Sequence, residues 1–158
     1  MKGFSVGLAL VDYIPVAAFG VAMIFVGNAI GNPLFYIGAV FTLLGGLVKA
    51  TWKLILGISG KDIKILNKGF WPLMGLGFLL MIVGVVISLF TKSWEGFGAA
   101  ILSLPQVIFF AIFIVAMAAM MVFKKTSFKK DSARDNWIAE IINCIGMVSL
   151  LIGSILAV

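Results

Sequence analysis

The sequence predicts an all-α, polytopic transmembrane helical bundle of five spans, with its N-terminus inside and its C-terminus outside. Of the 158 residues, 63% are hydrophobic and only 11% charged. The apolar residues gather in five long runs, and the loops between the runs alternate in charge. A mean hydropathy of +1.21 leaves too few polar groups to cover a water-facing surface. The linkers are too short to hold a soluble unit, so residues 1–158 read as a single transmembrane domain.

A hydrocarbon core of about 30 Å takes about 20 helical residues. The first run, Phe4 to Val26, is longer than the roughly 7–15 apolar residues of a cleavable signal, and it contains Asp12. It reads as a retained span over 4–27. The second, over 33–56, is uncharged only from Pro33 to Val48 and crosses if Lys49 and Lys53 extend their ammonium groups to the headgroups. The remaining runs give spans over 70–90, 97–123 and 137–157.

Loop charge sets the direction. Asn28–Asn32 carries no charge, and Lys92 offsets Glu95 between the third and fourth spans. The other two loops are basic: Lys61, Lys64 and Lys68 in one, Lys124, Lys125, Lys129, Lys130 and Arg134 in the other. The positive-inside rule places both in the cytoplasm, with Lys2 on the same side. The +6 net charge is thus topology information and attraction to anionic lipid, not a nucleic-acid surface. A multi-pass protein of a prokaryotic plasma membrane is the expected setting.

Trp52, Trp71, Trp94 and Trp137 all fall at predicted span ends, where an indole favours the membrane interface. Lys124, Lys125, Lys129 and Lys130, interleaved with Phe123 and Phe128, form a second interfacial element suited to anionic lipid. Small residues recur four apart at Gly3/Gly7, Gly38/Thr42, Gly96/Ala100 and Ser149/Gly153. That spacing brings helices close in lipid, within the chain or against a second copy or a partner membrane protein.

Ionisable groups at membrane depth are the default functional candidates, and three qualify: Asp12, Lys49 and Glu140. Counted from the outer ends of their spans, each lies about 27 Å in at 1.5 Å per residue. One charged layer near the cytoplasmic edge follows, with Lys49 expected to pair with Asp12, Glu140 or both. Tyr13 adjoins Asp12, and Pro15 frees a backbone carbonyl, so Asp-Tyr-Ile-Pro marks a place where the helix opens toward a cavity. On the fifth span Glu140, Asn143, Cys144 and Met147 share a face. Gln106 and Thr42 are expected near mid-membrane depth.

Missing residue types narrow the chemistry. Histidine is absent, which removes serine–histidine hydrolysis and histidine-based metal sites. The one cysteine, Cys144, rules out an intrachain disulfide. No phosphate-cradling loop or aspartate cluster occurs, so no catalytic residue, metal or cofactor is assigned. The leading expectation is a protein that binds or moves a small solute or ion at Asp12, Lys49, Glu140, Asn143 and Tyr13. Two alternatives stand beside it: a non-catalytic accessory or lipid-interacting subunit, and an intramembrane enzyme acting on lipid through paired carboxylates.

Overall fold

The computed structural model describes residues 5–91, 95–129 and 132–158. The expected Trp94 and Lys130 interface positions lie outside the described residues. Among the described residues every regular element is a helix, and five helices are long and apolar enough to cross a membrane.

The first span is interrupted. α1 (Val6–Val11) starts from Ser5, whose hydroxyl accepts from the Leu8 N–H at 3.2 Å, and α2 (Tyr13–Ile30) resumes after Asp12. The break lies where Pro15, lacking an N–H, leaves the Val11 carbonyl without its helical donor. α2 ends at Gly31, whose φ of 65° is the left-handed conformation open to glycine at a helix C-terminus. Asn32 then caps α3 (Pro33–Ser59), with Pro33 in its first turn. Gly-Asn-Pro thus makes a two-residue turn between antiparallel spans.

α4 (Lys64–Thr91) begins six residues before the expected boundary. Lys64, Asn67 and Lys68 lower local hydropathy yet continue the helix beyond the apolar stretch. The fourth span departs most from expectation. In place of one helix over 97–123 there are two, α5 (Glu95–Leu102) and α6 (Gln106–Thr126), separated at Ser103–Pro105. α6 alone, at 21 residues, is long enough to cross. Gln106 therefore stands at a helix end rather than at mid-membrane depth. Its amide donates to the Leu156 carbonyl at 2.8 Å, capping the far end of α7 (Ala133–Leu156).

The spans pack as a row in the order α4, α3, α2, α7, α6, with α1 against α3 and α7. Glycines set the α3/α4 seam. A Cβ on Gly77 would lie 2.7 Å from both the Gly38 carbonyl oxygen and the Thr42 nitrogen, and one on Gly84 would lie 2.7 Å from the Phe35 nitrogen. At the α6/α7 seam Gly153 accommodates Phe109 and Phe110. Of the small-residue pairs read from the sequence, Gly38/Thr42 and Ser149/Gly153 serve seams, whereas Gly96 faces open space and Gly7 meets only the Ser5 side chain of its own helix start.

Adjacent spans alternate in direction, which gives the bundle a neutral end and a basic end. At the neutral end Phe19, Met23, Val26, Ile30, Phe35, Met81 and Leu150 form one continuous core. Phe97 of α5 and Phe110 and Phe113 of α6 close over it. The basic half is different: the helices there line a cavity.

Candidate functional site

The cavity has a volume of about 650 Å³, within the range that holds drug-sized molecules. It runs from Lys124 and Phe128 at the basic end to Phe19, Thr42 and Phe78 near the middle of the spans. Most of its wall is aromatic and aliphatic, with Phe70, Trp71 and Met74 from α4 and Met147 from α7.

Its polar end is a three-member ion cluster. Lys53 Nζ donates to Asp12 Oδ1 at 2.6 Å and to Glu140 Oε2 at 3.2 Å, joining α3 to the first and last spans. Asp12 and Glu140 are 7% and 5% exposed. Held on one ammonium, their bonded oxygens lie no more than 5.8 Å apart. The second Glu140 oxygen, Oε1, is buried and has no hydrogen-bond partner among the described residues.

The helix break positions the first member of the cluster. Asp12 sits between α1 and α2 with its N–H still bonded to the Leu8 carbonyl at 3.1 Å, and both Asp12 and Pro15 line the cavity. Glu140 reaches the same level one turn into α7 from Asn136, and Asn143 follows it on the cavity wall.

Lys53 takes the place expected of Lys49. Lys49 also lines the cavity, but it turns toward α4: its Nζ donates to Asn67 Oδ1 at 2.7 Å and lies 4.1 Å and 4.4 Å from the ring centroids of Trp52 and Phe70. Counting residues fixes the height of a Cα atom and leaves open which side chain reaches the site. Lys49 and Lys53 differ by four residues, about 6 Å of rise, which a lysine side chain readily spans. Their positions also differ by about 40° around the axis, enough to face different neighbours. The expectation that Lys53 snorkels to the headgroups is therefore replaced by a buried double ion pair.

Tyr13 does not join the cluster. Its hydroxyl pairs with Thr51 Oγ1 at 2.9 Å, tying α2 to α3 away from the cavity. Trp52, expected at the interface, is 2% exposed and donates its indole N–H to Asp62 Oδ1 at 2.8 Å. It lies inside the bundle and folds the α3–α4 loop back onto the helix. Trp71 and Trp137 do reach the surface, with Trp71 lining the cavity as well. Lys125 and Lys129 are exposed. Lys124 stands at the cavity rim, and its ammonium has no hydrogen bond or ion pair among the described residues.

The sequence reading did not assign Lys53, Asn67 or the rim role of Lys124. The Lys49/Lys53 pair, four apart on one helix, was the signal for the first. Nothing in the sequence marks Asn67, which stands among the polar residues of the first turn of α4.

The spacing of Asp12 and Glu140 is compatible with paired-carboxylate chemistry. Lys53 Nζ, however, is bonded to one oxygen of each, so neither carboxylate stands free of a cation. Among the described residues no three histidine, cysteine or carboxylate side chains gather as a metal site. No protein-family model, curated protein or solved structure matches this chain.

Proposed function

We propose that this membrane protein binds a small solute in the cavity of its basic half and carries it across the bilayer. The observation behind this reading is a cavity of about 650 Å³ that ends on a buried ion cluster. Intramembrane charges that merely brace a bundle have no need of an adjoining cavity. By the positive-inside rule the basic end, and so the cavity mouth, faces the cytoplasm.

The roles follow from position. Lys53 links three spans at one level, so a polar group that competes for its ammonium loosens α1 and α2 from α7. Glu140 Oε1 is a ready acceptor for a donor on the solute. Lys49, Asn143 and the aromatic wall orient the rest of the molecule. The continuous core of the neutral half closes the path on that side.

Cysteine accessibility tests the reading. Asn143→Cys in a Cys144→Ser background, reconstituted in vesicles, is exposed to a membrane-impermeant, charged methanethiosulfonate from each side in turn. A carrier reacts from the basic-loop side and, more slowly, from the neutral side, and Asp12→Asn shifts the ratio without unfolding the bundle. Reaction from one side alone overturns transport and leaves an accessory subunit whose cluster is a clamp.

A further inference from the structure

We infer that the occupant of the cavity is an anionic membrane lipid that enters sideways through the gap between α4 and α6. This rests on the cavity being a binding site, as proposed above, and names the class of molecule it takes.

The row of spans supplies the gap. α4 packs on α3 and α6 packs on α7, and among the described residues these two end helices share no packed seam. Both nevertheless contribute cavity wall: Trp71, Met74 and Phe78 from one, Met120 and Lys124 from the other. At the basic end the cavity is thus bounded by protein on the α3, α2 and α7 sides and is open to lipid on the fourth. Trp71 and Phe78 line it while remaining 70% and 45% exposed, so the apolar wall continues out to the lipid-facing surface.

Charge and level select the headgroup. Three lysines and two carboxylates line the cavity, and both carboxylates are already held by Lys53. At the rim Lys124 presents an ammonium with no protein partner among the described residues. It sits in the last turn of α6, next to the basic loop, where headgroup phosphates lie. Below it, toward the middle of the membrane, come Met120, Met74 and Phe78. An anionic head at Lys124 with an acyl chain descending past these residues keeps each part of a lipid at its natural depth. A water-soluble anion has no use for the lower half of that wall.

Native mass spectrometry of the full chain tests this, after release from nanodiscs of equal phosphatidylcholine and phosphatidylglycerol. Wild type should retain one phosphatidylglycerol in preference to phosphatidylcholine. Lys124→Gln should cut that retention about fivefold, the effect of one juxtamembrane lysine. Lys125→Gln, next in sequence but outside the cavity, should leave it unchanged, and Met120→Trp, which fills the descending path, should abolish it. Equal losses for Lys124→Gln and Lys125→Gln would mean surface attraction alone and overturn the inference. Displacement by glycerol 1-phosphate in solution would also overturn it, since the site would then take a soluble anion. If phosphatidylglycerol is not retained while Asn143→Cys still reacts from both sides, the lipid assignment fails and the carrier stands. Retention with one-sided labelling upholds the lipid site and removes transport.

Discussion

Replacing Lys53 with methionine should be the most destabilising single change at the site, because it leaves two buried carboxylates facing one another. At an effective dielectric of about 20, an ammonium 2.6 Å and 3.2 Å from two carboxylate oxygens gains about 6 and about 5 kcal/mol. Repulsion between those oxygens, no more than 5.8 Å apart, returns about 3 kcal/mol or more. Removal of three charges from water offsets much of the remaining attraction, and buried ion pairs broken on one side typically lose about 3–5 kcal/mol. That is the expected loss for Lys53→Met. The assay is reversible unfolding in mixed micelles, followed by the shift in denaturant midpoint. The triple variant Asp12→Asn, Lys53→Met, Glu140→Gln, which removes every charge at once, should recover most of the loss. A Lys53→Met protein as stable as wild type, or a triple variant no better than the single one, would refute the argument that Lys53 neutralises both acids.

Lys49→Met should cost less, about 1–2 kcal/mol in the same assay, since its ammonium meets the Asn67 amide and two aromatic faces. A larger loss than for Lys53→Met would reverse the assignment of the two lysines. Gly77→Ala should destabilise by about 1–3 kcal/mol, because its Cβ meets backbone atoms of α3 that cannot step aside. Gly75→Ala, on the same helix with nothing within 4 Å, should be neutral or gain up to about 1 kcal/mol, and equal effects at both positions would discount the seam. Tyr13→Phe should lose about 1 kcal/mol with its Thr51 hydrogen bond and leave the Asn143→Cys labelling rate unchanged. A changed labelling rate would place Tyr13 in the site after all.

The level of the ion cluster was legible because helices have a fixed rise and the outer ends of the spans define a common origin. Asp12 and Glu140 do lie together, as equal counts from the outer ends of the first and last spans imply. The identity of the cation was hidden, since height along a helix carries no information on rotation about its axis. The interruption at Asp12 was legible from Pro15, which removes a donor at a defined position. Pro105 gave the same kind of signal, but a proline near a span boundary starts a new helix as readily as it kinks an old one. The wrong depth for Gln106 followed from that ambiguity. Trp52 shows a third limit: its interfacial reading assumed that the next loop points away, whereas Asp62 returns to meet the indole. The glycines of the α3/α4 seam were visible but indistinct, because Gly77 and Gly84 sit in a run that also holds Gly75, whose position faces open space.

The contrast between the two halves of the bundle bears on which of them moves. Packed apolar interiors shift between discrete arrangements rather than deforming smoothly, and the neutral half is one such interior, with contributions from α2, α3, α4, α6 and α7. In the basic half, by contrast, the first span, α3 and α7 are joined beside the cavity by the ion cluster of Asp12, Lys53 and Glu140. A rigid scaffold would gain dispersion energy by filling that space, yet a cavity of about 650 Å³ adjoins the buried charges. In the proposed carrier the neutral half is the hinge and the basic half the moving part, with the Lys53 cluster as the link between spans that has to loosen.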